Sequence, residues 1–202
     1  MNIWRCSQLI MMVSALSACS AMSDKECLQA DWSTVGQLDA EQGRVSATRL
    51  EKYYRSCADV SVVPDKTQYE QGYQQGLQQF CTQSKGYYFG LHGGQYKGTC
   101  HTPATDEASF MSGYQPATER YKLERRVDEL ERLIAKEQTR FLHRRPLRVN
   151  SAEHAARDAL QTHEHYQALF WLRMERQDVL QALRQWKTTH QTLMDAIHGQ
   201  PQ

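Results

Sequence analysis

Six cysteines carry most of the chemistry available to this sequence: Cys6, Cys19, Cys27, Cys57, Cys81 and Cys100. The last four form an even set, and no two of them stand in a Cys-x-x-Cys pair. Zinc sites commonly draw on such close pairs, so two disulfides fit these four better than a metal centre. Material for acid–base catalysis is thinner. Asp31, Asp39 and Glu70 are scattered carboxylates, and chain spacing does not bring them together. Glycoside cleavage needs two carboxyl groups about 5–9 Å apart across the bond. His92 and His101 have no carboxylate or nucleophile in an obvious partnership. His154, His163 and His165 fall in a helical stretch. There His163 and His165 point roughly 200° apart and cannot share a metal. No motif calls for a cofactor.

The N-terminus says where this chemistry takes place. Arg5 precedes an apolar core from Leu9 to Leu16, closed by Leu16-Ser17-Ala18-Cys19. That is the layout of a secretory signal peptide, expected over residues 1–18. The run from Leu9 to Ala18 is half the roughly 20 residues that a membrane span needs, and no later stretch approaches one. The ending resembles the lipobox of bacterial lipoproteins. The resemblance implies cleavage before Cys19, lipidation of Cys19 and membrane anchoring through that lipid. Ser20, in place of Asp, implies sorting to the outer membrane, facing the periplasm. Acyl chains contribute about 0.8 kcal/mol per buried methylene, so several chains anchor firmly. Cys6 leaves with the signal, and Cys27, Cys57, Cys81 and Cys100 enter an oxidising compartment that favours disulfides. The sequence has 24 basic and 23 acidic residues. Loss of Arg5 balances them, and nothing in that balance favours nucleic acid as a partner.

The element pattern is mainly α. Residues 19–23 are a short tether, and residues 24–115 read as a small disulfide-braced domain. Ten of the eleven glycines lie between Gly36 and Gly113, and eight of the ten tyrosines between Tyr53 and Tyr114. A core this poor in aliphatic residues needs covalent support. One helix is expected from Asp24 to Gly43, carrying Leu28, Trp32, Val35 and Leu38. A second runs from Ser46 to Cys57. An antiparallel pairing of these two brings Cys27 to Cys57. Pro64-Asp65 turns the chain into a third helix, Gln68–Phe80, where Gly72 and Gly76 share one face. Glycine costs about 1 kcal/mol in a helix interior. Two at this spacing point to a backbone or ring packed against them, and Trp32-x-x-x-Gly36 and Phe110-x-x-Gly113-Tyr114 repeat the theme. Two aromatic runs, Tyr87-Tyr88-Phe89 and Tyr96, flank His92-Gly93-Gly94 and read as one short β-hairpin. Its base would be clamped by Cys81–Cys100. Four cysteines allow three pairings; Cys27–Cys57 with Cys81–Cys100 is preferred. Each closes a loop of about 20–30 residues, worth roughly 3–4 kcal/mol.

Taken together, the lipobox, Cys27-x-x-x-Asp31-Trp32-x-x-x-Gly36, Tyr69-x-x-Gly72-x-x-x-Gly76-Leu77-x-x-Phe80-Cys81, Gly94-x-Tyr96-x-Gly98-x-Cys100 and Phe110-x-x-Gly113-Tyr114 resemble one family of bacterial lipoproteins, domain of unknown function 2799. The resemblance covers roughly residues 26–121. It supports the four cysteines and implies no activity. Asp39-Ala40 stands where the family tends to show Asp-Gly.

Residues 116–202 read as a long antiparallel helical hairpin, coiled-coil-like. After Pro116, Thr118 caps a helix to about His143, with Leu123, Val127, Leu130, Ile134 and Phe141 as its seam and Glu137 as the break. Pro146 interrupts. A second helix to about His198 begins with Ala152, Ala155, Ala156 and Ala159, small residues expected to let the two rods approach. Its seam continues through Leu169, Leu172, Val179, Leu183, Trp186, Leu193 and Ile197, broken by Arg176 and His190. This second helix is nearly twice the first, so half of it must pack back on its own domain, form a homodimer through residues 169–197 or meet a foreign partner. The hairpin tip is basic: Arg140, Arg144, Arg145 and Arg148 suit a helix C-terminus through the macrodipole, or offer contact to an anionic partner such as cell-wall polymer or lipid phosphate. The expected function is that of a non-enzymatic envelope protein whose arm binds a partner protein or the cell wall. The alternative is glycan binding, or cell-wall catalysis, through the Tyr87, Tyr88, Tyr96 loop.

Overall fold

The computed structural model describes residues 21–143 and 151–199. The signal segment, Cys19, Arg144, Arg145 and Arg148 lie outside the described residues. Within them are eight α-helices: α1 Asp24–Gln29, α2 Trp32–Glu41, α3 Ser46–Ser56, α4 Lys66–Phe80, α5 Gln83–Leu91, α6 Glu107–Leu142, α7 Ala152–Thr189 and α8 Gln191–His198. The chain forms two compact units. One holds the described residues up to Cys81 together with Tyr96–Glu107; the other holds Thr82–Gln95 and the residues from Ala108 onward.

In the first unit the single helix expected from Asp24 is two. Ser23 and Glu26 close a reciprocal capping box on α1. Asp31 then starts α2, accepting hydrogen bonds from the Ser33 and Thr34 N–H groups. A short acidic side chain at this spacing satisfies the first orphan donors better than continued helix does. The buried face also differs from the aliphatic one: Leu28 and Leu38 are 65% and 50% exposed, while Trp32, Gly36, Asp39 and Ala40 are buried.

Glycine sets that face. A methyl carbon built on Gly72 would lie 1.8 Å from the Ser33 carbonyl oxygen, and one on Gly76 would lie 2.3 Å from the Gln37 carbonyl oxygen. One on Gly36 would lie 2.0 Å from the Tyr69 carbonyl oxygen. Helices α2 and α4 therefore run parallel with their backbones in contact: of the two expected neighbours, a backbone or a ring, it is a backbone that lies on the glycine face. The disulfides are Cys27–Cys57 and Cys81–Cys100, the preferred pairing, with sequence separations of 30 and 19. Replacing Cys27 and Cys57 together by alanine is expected to lower stability by about 3 kcal/mol, read as a reduced urea midpoint with the other bond intact.

The second unit corrects the β-hairpin. Among the described residues there is no strand, and residues 83–91 form α5, capped by Thr82 accepting from the Lys85 N–H. Gly86 and Gly90 are again four apart. Methyl carbons on them would lie 2.1 Å from the Phe110 and 2.7 Å from the Tyr114 carbonyl oxygens, and one on Gly113 would lie 2.0 Å from that of Gln83. The register repeats that of α2 and α4: Gly72 and Gly76 meet residues 33 and 37 as Gly86 and Gly90 meet residues 110 and 114. The aromatic run looked like a strand because Tyr87-Tyr88-Phe89 is a continuous apolar stretch, which periodicity cannot assign by itself.

Helix α6 does not wait for Pro116. It starts at Glu107 and passes through the proline. Proline removes one ladder donor, but Phe110, Gly113 and Ala117 are buried on both sides of it. The Trp186 Nε1–H donates to the Pro116 carbonyl at 3.0 Å. At 36 residues, α6 nearly matches the 38 of α7, so the expected excess of the second helix disappears. Trp186 and Ile197 close a core with Tyr87 and Ala117. Cross-helix partners run in opposite order, Trp186 with Pro116, Arg176 with Glu131 at 2.8 Å and His165 with Glu137 at 3.1 Å. That is an antiparallel pair, in which the break Glu137 meets His165 and the break Arg176 meets Glu131. The expected alanine contact is overturned: Ala152, Ala155, Ala156 and Ala159 are exposed. The inward heptad positions at that level are Asp158, Thr162 and His165, which lie on another face of α7.

Candidate functional site

The three carboxylates of the catalytic alternative do three separate structural jobs. Asp31 caps α2, with the Thr34 hydroxyl donating to it at 2.7 Å; these bonds hold its carboxyl below the ordinary range. Glu70 is exposed and pairs with Lys66 across one helical turn at 3.6 Å. Asp39 is 2% exposed. Its two oxygens accept from Arg44 at 2.9 Å, Arg49 at 3.2 Å, the Tyr53 hydroxyl at 2.8 Å and the Tyr69 hydroxyl at 2.9 Å. Burial first, then the Asp39 charge, push the Tyr69 hydroxyl well above its usual range. This network joins α2, α3 and α4 and leaves Asp39 no open position for a substrate. A recess of about 510 Å³ in the first unit is lined by Glu70, Tyr73, Gln74, Lys97 and Thr99 among others, with Glu70 its single carboxylate.

The aromatic loop is dispersed. Tyr87 is 1% exposed in the core of the second unit, and Tyr88 packs against that core. Tyr96, in the first unit, donates to Glu107 at 2.7 Å and accepts from the Cys100 N–H at 3.0 Å; burial and then Glu107 push its hydroxyl up to about 12. His101 meets the other Glu107 oxygen at 2.6 Å, and His92 rests on the Tyr88 carbonyl at 2.7 Å. Among the described residues no three His, Cys, Asp or Glu side chains gather as a metal-ligand set.

Within the second unit, the outward surfaces of the two long helices are unlike each other. On α6, Lys122, Arg125, Arg126, Arg132 and Lys136 line a shallow groove with the single carboxylate Glu129. Arg126 bridges to Glu129 and to Glu175. At the tip Arg140 pairs with Glu137 at 2.9 Å. The cations expected at the tip thus continue back along α6, at a spacing of three and four that puts them on one face.

On α7, one exposed stripe is apolar. Leu160 is 58% exposed, Tyr166 59%, Phe170 55%, Trp171 68% and Met174 44%. Scattered apolar residues on a surface need no explanation, but a contiguous group does. These positions recur at three- and four-residue steps and form a second stripe, out of phase with the buried Leu169 and His165. From Ala156 to Met174 that stripe includes no Asp, Glu, Lys or Arg: its members are Ala156, Ala159, Leu160, His163, Tyr166, Gln167, Phe170, Trp171 and Met174, with Ala152 and Glu153 at its N-terminal end, Glu153 about five turns before Trp171 on the same line. Sequence reasoning missed it because the stronger inward heptad drew the assignment. The signal was present in Tyr166, Phe170 and Met174 at steps of four. Interface cores are likewise depleted in charge and enriched in aromatic residues and methionine. No helix among the described residues is long and apolar enough to cross a membrane.

Residues 31–119 match the model of a family described as "Protein of unknown function (DUF2799)", the family the sequence resembles. The matched segment contains α2 to α5 and the first part of α6, with the glycine contacts of both helix pairs, and ends before α7. No curated protein and no solved structure matches the chain.

Proposed function

We propose, for a chain whose residues 31–119 belong to a family with no activity attached, a non-enzymatic role: a lipid-anchored protein of the bacterial envelope that docks a partner through the outer face of α7. The observation that carries this reading is the charge-free aromatic stripe from Leu160 to Met174, more than two-fifths exposed at each of its large side chains. Lipidation at Cys19 and a place on the periplasmic side of the outer membrane rest on the Leu16-Ser17-Ala18-Cys19 ending and Ser20. The two disulfides favour an oxidising compartment. The Ala21 N–H donates to the Ser56 Oγ at 3.0 Å, so little free tether would separate Cys19 from the first unit. The basic face of α6, which ends in Arg140 and is followed in the sequence by Arg144, Arg145 and Arg148, is the surface for contact with an anion such as lipid phosphate.

The test is photo-crosslinking in intact cells. A photoreactive side chain placed at position 170 is expected to give one reproducible adduct, and one placed at exposed Lys187, outside the stripe, none. Trp171→Ala should abolish the adduct and shift the unfolding free energy by no more than about 0.5 kcal/mol, as for other surface substitutions. A uniform smear from both positions would remove the docking role. Labelling with radioactive palmitate, lost on Cys19→Ser, checks the anchor separately.

A further inference from the structure

We propose that the occupant of the α7 outer face is a second copy of this chain, packed antiparallel about a two-fold axis at the level of His163. The proposal rests on the reading above that this face docks something, and it names what. A two-fold interface uses the same patch on both copies, so the patch must complement itself. This stripe does. Its N-terminal half is flat, with exposed Ala152, Ala156 and Ala159, and its C-terminal half is bulky, with Tyr166, Phe170, Trp171 and Met174.

Antiparallel pairing through His163 sets Ala156 opposite Phe170 of the second copy, Ala152 opposite its Met174, and Leu160 opposite its Tyr166. Each of these layers joins a smaller residue to a larger one, as close packing favours, and at the axis His163 meets its own copy. A parallel arrangement would stack Phe170 on Phe170 and leave alanine facing alanine. Charges agree with the antiparallel register. Glu153 comes level with Arg173 of the second copy, Glu164 with Thr162 and Arg157 with Leu169, so no like charges meet.

The area is also of the right order. Aromatic side chains carry about 150–250 Å² each, so three rings exposed by more than half supply roughly 300–450 Å². Leu160, Met174 and the alanines extend the contact along roughly 33 Å of helix. A standard interface takes about 800 Å² from each partner.

The experiment is sedimentation equilibrium of the full-length chain, extracted in detergent, with four forms compared. The parent is expected to dimerise. Ala156→Phe, which places ring against ring, and Phe170→Ala, which leaves a gap, should each weaken dimerisation by at least about tenfold. The double variant Ala156→Phe/Phe170→Ala restores one large and one small residue in every layer and should return to within about threefold of the parent. Both positions are exposed, so thermal midpoints should stay together and show that folding is not the variable. A double variant no better than either single one, or a monomeric parent, would overturn self-pairing. The crosslink from position 170 separates the two failures. An adduct to residues 152–160 of the same chain supports the dimer. An adduct to another protein or to lipid refutes the dimer and leaves the docking face standing, and no adduct removes both.

Discussion

Gly72→Ala is expected to destabilise the first unit by at least about 3 kcal/mol, the upper end of what overpacking costs. The methyl carbon would lie 1.8 Å from the Ser33 carbonyl oxygen, and backbone cannot turn aside as a side chain can. Helix α2 would have to leave α4, which uncovers Trp32, Tyr69 and Tyr73. The sign makes the test sharp. Intrinsic helix propensity favours alanine over glycine by about 1 kcal/mol, so a glycine without a packing role would give a more stable protein. Gly86→Ala should have the same effect in the second unit, through the Phe110 carbonyl. Two comparisons grade the effect. At Gly94 the obstacle is the Phe89 ring, which can move, and at Gly98 nothing lies within 4 Å but φ is +76°. Gly98→Ala should therefore cost only about 1 kcal/mol, the strain of a left-handed backbone. Urea unfolding under oxidising conditions measures all four. A Gly72→Ala midpoint at or above that of the parent would mean that α2 and α4 do not touch through this face.

Asp39→Ala is expected to cost about 3–5 kcal/mol, the range for removing one partner of a buried charged cluster. The substitution leaves the Arg49 guanidinium, 18% exposed at its side chain, beside the Tyr53 and Tyr69 hydroxyls with their acceptor gone. Tyr69→Phe removes one donor and should cost about 1 kcal/mol. Glu70→Gln, on an exposed carboxylate, should change stability by no more than about 0.5 kcal/mol. The same variants examine the catalytic alternative from the other side. Were Asp39 and Glu70 a working pair, both substitutions would abolish turnover of cell-wall glycan and the Glu70 change would do so in a fully folded protein. If instead Asp39→Ala unfolds no more readily than Glu70→Gln, the network joining α2, α3 and α4 has been misjudged.

Most of the helices were legible because their signals are local. Ser151 lies where a capping side chain reaches the N–H three residues on, and it does so; the helix expected from Gln68 starts two residues earlier, at Lys66, with Asp65 as its cap. The seam from Leu123 to Phe141 reads directly from its spacing. So does the closeness of some backbone to Gly72 and Gly76, although not the identity of that backbone. The candidate site was less legible. The arm was expected to carry the contact surface, but the stripe of Leu160, Tyr166, Phe170, Trp171 and Met174 was hidden behind a stronger pattern on the same helix. When two faces of one helix are apolar, spacing cannot say which faces inward. Here the partners settle it: Glu137 meets His165 and Glu131 meets Arg176, which turns Phe170 and Trp171 outward.

The amino-acid sequence alone determined the helical character, the readiness of four thiols to form two disulfides and the glycine faces, because each follows from residues a few positions apart or from an even count of thiols; which cysteines pair was settled by the structure. Tertiary structure decided that residues 83–91 coil into α5, that α6 runs through Pro116, and that Asp39 is buried among two arginines and two tyrosine hydroxyls. In each case the local preference was weak or adverse and was outweighed by what the segment meets: the Phe110 and Tyr114 backbone, the Trp186 indole, and the hydroxyls of Tyr53 and Tyr69. Burial and close approach between distant residues are set by the fold, and a linear pattern records only the periodicity that makes them possible.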